Sequence, residues 1–100
     1  TQSLSRVHAV QELLKEDGIL NIATASWTPL EDARSLISKN DWNRLNFVGT
    51  EFDKADFIYS NFYYEVNTTY NEKYKIPKNF SLYKTLIIDG TRIYSIYKKI

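Results

Sequence analysis

A length of 100 residues suits one domain with a modest core, and 43% hydrophobic residues with only three Gly and two Pro exclude a disordered chain. The absence of Cys and the presence of a single His exclude disulfides, thiolate metal sites, a cysteine nucleophile and a His-rich metal site. The 13 basic and 12 acidic side chains give a formal charge of +1, and no apolar run approaches the roughly 18–20 residues that a membrane span needs.

The charge is unevenly distributed along the chain. Residues 1–66 carry six basic and ten acidic side chains (6 − 10 = −4), whereas residues 67–100 carry seven and two (7 − 2 = +5). A basic C-terminal third can face anionic lipid headgroups, nucleic acid or an acidic partner. Because the lysines form no tight run, we favour the simpler interpretation that they are solvated and protect strand edges.

The first quarter of the chain predicts a helix and then a buried strand. An apolar stripe predicts the helix over residues 4–17, with Ser3 or Ser5 as its cap and Gly18 at its C-terminal left-handed position. The stripe consists of Val7, Val10, Leu13 and Leu14. The mostly apolar run over residues 19–26 predicts a central strand that is covered on both faces.

A second helix start is indicated by Thr28 as N-cap, Pro29 in the first position and Glu31 in the third. This helix is expected to run to about Ser38 and to end at Asn40-Asp41. Its inward residues are expected to be Leu30, Ala33, Leu36 and Ile37. Two short strands are predicted beyond it, over residues 46–49 and 55–60, and the sequence leaves open whether a hairpin or a crossover joins them.

The C-terminal segment predicts a β-hairpin over residues 81–88 and 91–99, because Asp89-Gly90 is a strong two-residue turn signal. The turn places Ile88 opposite Thr91, Leu86 opposite Ile93, and Leu82 opposite Tyr97. The more apolar face, which carries Leu82, Leu86, Ile88, Ile93 and Tyr97, is expected to pack on the core. The other face carries Tyr83, Thr85, Ile87, Arg92, Tyr94 and Ile96 and is expected to be half covered by a helix.

These elements together predict a single α/β domain over residues 1–100. It has two helices and a mixed β-sheet, parallel at the centre and antiparallel at the C-terminal hairpin around Asp89-Gly90.

The long connection over residues 61–79 is the candidate binding segment. It interleaves aromatic and basic side chains, and such a pattern can stack bases or sugar rings while lysines meet phosphates. The candidate binding residues are Tyr63, Tyr64, Tyr70, Lys73 and Lys75. The alternative, which we favour, is a tyrosine-rich flap that packs over an open edge of the core.

Nothing in the sequence points to a catalytic, metal or cofactor site within the chain. There is no dinucleotide or phosphate-loop fingerprint, and the junction over residues 25–28 lacks the glycines that let a backbone wrap a phosphate. Asp56 and Asp89 suit a strand entry and a hairpin turn, and the acidic pair Glu31 and Asp32 suits the first turn of a helix. An independent small enzyme is therefore the weakest hypothesis.

Several segments resemble one family. The chain resembles the soluble C-terminal domain of bacterial membrane glycosyltransferases of the protein O-mannosyltransferase type, which use polyprenyl-phosphate sugars. The resemblance rests on the order of a helix, an Asn-Ile-Ala strand, a short helix, the segment WNRL (residues 42–45) and the segment KADFIYSN (residues 54–61). The ending LIIDGTRIYSIYK (residues 86–98) resembles the terminal hairpin of that domain. The similarity extends over nearly the whole chain.

The resemblance implies a non-catalytic extracytoplasmic domain on the periplasmic face of the inner membrane, because the family's catalytic acids lie in loops between membrane helices. Its implied partners are the parent transmembrane domain, a nearby membrane surface, and a glycan or protein acceptor that it helps to position. The missing initial Met fits a fragment of a longer membrane protein. The alternative is a free-standing module that binds glycan, or less favourably nucleic acid, through the Tyr- and Lys-rich residues 62–78.

Overall fold

The structure, a computed structural model, describes residues 2–25, 30–61 and 75–100. Within these ranges the chain forms a mixed five-stranded sheet with helices, as the sequence predicts. The expected cap at Thr28 and Pro29 and most of the predicted binding segment lie outside the described residues.

The sheet has the strand order β2-β1-β3-β5-β4. Its strands are β1 (Leu20–Thr24), β2 (Leu45–Phe47), β3 (Phe57–Asn61), β4 (Phe80–Ile88) and β5 (Thr91–Lys99). Strand β1 pairs in parallel with both β2 and β3, and β5 pairs antiparallel with both β3 and β4. The prediction of a parallel centre and an antiparallel C-terminal hairpin is therefore confirmed. Since β2 and β3 both flank β1, they are joined by a crossover and not by a hairpin.

The first helix, α1, spans Gln2–Leu13 and begins and ends earlier than predicted. Ser3 and Ser5 fall inside it, so the prediction that one of them caps it is wrong. Val10 and Leu13 of the predicted stripe are buried, and Val7 and Leu14 pack against the same cluster. Gly18 has the expected left-handed φ of 78°, but it lies five residues beyond the helix end.

The second predicted helix is a 3₁₀ helix, Leu30–Leu36, and a separate short helix, α2 (Lys39–Trp42), follows it. Leu30 and Ala33 are buried as expected, whereas Leu36 is 60% exposed. A 3₁₀ helix aligns side chains at i and i+3, so Leu30 and Ala33 lie on the same face. The prediction that the helix ends at Asn40-Asp41 is wrong, because both residues lie in α2, which Ser38 caps by accepting from Asp41 N at 3.3 Å.

The C-terminal hairpin forms at Asp89-Gly90, whose φ angles of 51° and 77° match a type I′ turn. The predicted pairs Ile88–Thr91 and Leu82–Tyr97 are confirmed. The predicted pair Leu86–Ile93 is wrong, because one register shift between Leu86 and Ile87 places Leu86 opposite Tyr94. A second shift between Leu82 and Lys84 restores the original register.

The expected assignment of the hairpin faces is correct in placing a helix over the face of Tyr94 and Ile96, and it is wrong in expecting Leu82 and Ile88 to pack on the core. Tyr94 and Ile96 are fully buried under α1, whereas Leu82 and Ile88 of the more apolar face are 54% and 52% exposed. The main core lies between the sheet and α1 with the 3₁₀ helix. Its buried residues are Ala9, Val10, Leu13, Leu20, Ile22, Leu30, Ala33, Phe57, Tyr59, Tyr94 and Ile96. A smaller cluster of Ala23, Ala25, Ala55, Ile58 and Phe80 is separate from it.

Candidate functional site

The carboxyl ends of parallel strands are where open α/β sheets gather ligands, especially where the connections depart to opposite sides. Here β1 leads to β2 on one side, while β3 pairs on the other. Ala25 N donates to Tyr59 O at 2.7 Å, and Thr24 N donates to Gly49 O at 2.9 Å, so the strand ends are held together. The segments that follow β1 and β3, residues 26–29 and 62–74, therefore leave from neighbouring points at this edge.

Four of the five predicted binding residues, Tyr63, Tyr64, Tyr70 and Lys73, lie outside the described residues. Lys75 is described, and its side chain is exposed in a stretch without regular structure. Ile76 packs against the smaller hydrophobic cluster. The binding prediction for this segment therefore stays a prediction, with only its attachment points known.

A groove between the 3₁₀ helix and α2 is a site that the sequence reasoning did not anticipate. It has a volume of about 250 Å³ and is lined by Arg34, Ile37, Lys39, Trp42 and Asn43. Trp42 is the last residue of α2 and is half-buried, with its ring 5.4 Å from that of Phe47 and inclined at 39°.

The two cations of the groove differ from the other basic side chains before residue 62. Lys15 pairs with Glu12 at 2.9 Å, Lys54 pairs with Glu51 at 3.1 Å, and Arg6 is engaged as well. In the part of the chain that the structure describes, no carboxylate lies within ion-pair distance of Arg34 or Lys39. Both side chains are exposed, so they are available to a ligand.

Arg44, beside the groove in sequence, has a different task. Its guanidinium donates to Gly18 O at 3.1 Å, to Leu14 O at 3.3 Å and to Glu16 O. These carbonyls lie just beyond α1, where helical carbonyl groups lack intrahelical donors. Arg44 therefore joins the end of α1 to the start of β2.

A polar network crosses the main core around Tyr94. His8 Nδ1 lies 2.6 Å from the Tyr94 hydroxyl, and the Tyr94 ring lies 5.7 Å from that of Tyr59. Burial raises the pKa of Tyr59 to about 12. Burial, reinforced by the negative charge of Glu12, raises the pKa of Tyr94 still further above its ordinary value. Such protonated phenols act as hydrogen-bonding core residues at neutral pH.

Asp56 lies at the opposite, amino-terminal end of the parallel strands. Its Oδ2 accepts from the backbone N of Asn21 at 3.1 Å and from Asn21 Nδ2 at 3.0 Å. Asn46 Nδ2 donates to Asn21 Oδ1 at 2.8 Å, which extends the network to β2. The predicted role of Asp56 as a strand-entry residue agrees with these bonds, since they tie β3 to β1.

Among the described residues, no three His, Asp or Glu side chains are grouped so as to hold a metal ion. In the same ranges, the helices are all too short or too polar to cross a membrane.

Comparison of the chain with protein-family models, with curated proteins and with solved structures finds no match.

Proposed function

We propose that the chain is a non-catalytic extracytoplasmic domain of a membrane-bound glycosyltransferase, which positions an acceptor or partner for the parent's catalytic part. The observation that carries the proposal is the arrangement of the segments on which the resemblance rests. The Asn-Ile-Ala segment lies in β1, the segment over residues 54–61 contains β3, and the hairpin supplies β5 and β4. These strands are consecutive in the sheet, so the segments form one continuous unit.

The polar residues of those segments support a scaffolding role. Asp56 uses one carboxylate oxygen to bind Asn21 of β1, and Arg44 donates to the carbonyls beyond α1. Asp89 occupies the hairpin turn. Asp56, Arg44 and Asp89 each have a structural task, and residues with structural tasks are what a scaffolding domain requires.

The outer strand of the hairpin offers a surface on which such a domain can contact its parent. Strand β4 is at the edge of the sheet, and Leu82, Ile87 and Ile88 on it are each more than half exposed. A long edge strand with exposed apolar side chains is a favourable place for pairing or docking.

The test uses the complete protein that contains this chain, in membranes, with a polyprenyl-phosphate sugar as donor. Deletion of residues 1–100 should leave hydrolysis of the donor intact but impair transfer to the acceptor. Leu82→Asp with Ile87→Asp should impair transfer in the same way, while Ile19→Asp, at a site that is 64% exposed and outside the hairpin, should not. A complete protein that is neither membrane-bound nor able to transfer sugar would overturn the proposal.

A second candidate function, a glycan-binding module that uses residues 62–78, is favoured by one observation. The segment leaves from the carboxyl end of β3, beside the carboxyl end of β1, where open α/β sheets place their ligands. Changing Tyr63, Tyr64 and Tyr70 together to Ala should abolish binding on a glycan array with little change in melting temperature. A collapse of the melting temperature would assign these tyrosines to the core.

A further inference from the structure

The groove between the 3₁₀ helix and α2 combines two cations, which have no carboxylate partner among the described residues, with an aromatic and an aliphatic side chain. Of the six basic side chains before residue 62, Arg6, Lys15, Arg44 and Lys54 are engaged elsewhere. The remaining two, Arg34 and Lys39, both line this groove. This part of the sequence is acidic overall, so two cations that face one cavity are a local exception.

We propose that this groove binds a small organic phosphate, with the phosphate group on Arg34 and Lys39 and the organic part against Trp42 and Ile37. This inference does not rest on the glycosyltransferase proposal, since it uses only the residues of the groove.

The chemistry of the lining selects such a ligand. A guanidinium presents a planar set of N–H donors that matches phosphate oxygens, and a lysine adds a mobile point charge. The indole of Trp42 and the side chain of Ile37 supply the apolar wall on which a ring or short chain can lie. Asn43 adds an amide that can donate or accept one hydrogen bond.

The size of the groove limits the ligand. Its volume of about 250 Å³ is below the roughly 300–1,000 Å³ of sites for drug-sized molecules, so one ring with one phosphate suits it. The nearest acidic residue of α2 does not oppose binding directly. Asp41 does not line the groove, and its Oδ2 accepts a hydrogen bond from the Ser38 hydroxyl at 3.0 Å.

The test uses phenyl phosphate, inorganic phosphate and phenol as probes of the whole ligand and its two halves. The full 100-residue chain is titrated at pH 7.5, where a phosphate monoester is mostly doubly charged because its second pKa is about 6. The side-chain N–H signals of Trp42 and Asn43 in heteronuclear NMR report on the groove. Phenyl phosphate should shift both signals saturably, and each half alone should bind about tenfold or more weakly.

Two double variants with the same change in net charge separate a site from general electrostatic attraction. Arg34→Gln with Lys39→Gln should weaken phenyl phosphate binding by about tenfold or more. Lys15→Gln with Lys54→Gln, which removes two exposed cations that form surface ion pairs elsewhere, should leave it unchanged. All four side chains are exposed, so we expect both variants to fold, and the dispersion of their backbone amide signals checks this.

A further arm distinguishes a soluble phosphate from a lipid headgroup. If phosphatidylglycerol vesicles sediment the wild-type chain but not the Arg34→Gln, Lys39→Gln variant, and displace phenyl phosphate, the bound phosphate belongs to a lipid. If vesicles do not compete, the ligand is soluble. The proposal is overturned if Trp42 and Asn43 show no saturable shift, or if both double variants weaken binding equally.

Discussion

Replacing Arg44 with Ala should lower the free energy of unfolding by about 2–3 kcal/mol, through the loss of its three hydrogen bonds to carbonyls beyond α1. A hydrogen bond with a charged partner contributes about 1.5–3 kcal/mol. The sum is discounted here because Gly18 is exposed and Leu14 and Glu16 are only partly buried, so water can replace the donor at all three carbonyls. For a chain of this length, the loss corresponds to a fall in melting temperature of about 8–24 °C.

The assay is thermal and urea unfolding followed by circular dichroism, with two companion variants. Arg44→Lys keeps the charge near the end of α1 but cannot reach all three carbonyls, so it should lose about half as much stability as Arg44→Ala. Arg34→Ala removes an exposed guanidinium without a carboxylate partner among the described residues, and should change stability by less than about 0.5 kcal/mol.

The reasoning is refuted if Arg44→Ala loses no more stability than Arg34→Ala. It is also refuted if Arg44→Lys is as stable as the wild type, since charge alone would then account for the contribution of Arg44.

Three other predictions concern the core, the strand entry and the hairpin turn. Stability should fall between pH 10 and pH 12, because the unfolded chain loses the Tyr59 proton near pH 10 and the folded chain keeps it to about pH 12. The free energy of unfolding should fall by about 1.4 kcal/mol per pH unit for each such tyrosine. Tyr59→Phe should flatten that slope in urea titrations between pH 9 and pH 11.5, and an unchanged slope would contradict the assignment. Asp56→Ala should lower stability by about 1–2 kcal/mol, because it leaves the backbone N and the Nδ2 of Asn21 without their acceptor. Asp56→Asn should lower it by about half as much, and equal losses in thermal melts would argue against a role for the negative charge. Gly90→Ala should cost about 1–2 kcal/mol by calorimetry. Apart from the two neighbouring residues in the chain, no atom lies within 4 Å of the added methyl group, so the cost comes from φ 77°, and a clearly smaller cost for Gly90→Asn is the expected control.

Local signals predict the hairpin turn well but not the positions of its irregularities. Asp89-Gly90 suffices to place the turn because its conformation depends on two residues. The register shift after Leu86 brings that residue opposite Tyr94 and against the main core. That position depends on α1, which lies more than 70 residues away in sequence, so no local pattern reveals it.

The end of α1 was missed for the same kind of reason. The apolar stripe continues through Leu14, but the helix stops at Leu13, and the carbonyls that follow accept hydrogen bonds from Arg44. A donor some 30 residues away in sequence is not visible in the helix pattern. The groove was missed because the importance of Arg34 and Lys39 depends on where the acidic side chains lie in the folded chain.

The position of β5 has a consequence for how the domain is synthesised and folded. Strand β5 lies between β3 and β4. The edge of β3 in the parallel half, β2-β1-β3, is therefore covered only when β5, the last described strand, has been synthesised. Phe57 pairs with Lys98, a partner that leaves the ribosome 41 residues later. Until then, the edge of β3 exposes unpaired backbone groups beside apolar side chains that are buried in the folded domain. These are the conditions that favour wrong pairing between nascent chains. A stop codon before residue 91 would make that condition permanent, so we expect such truncated chains to be aggregation-prone and not merely less stable.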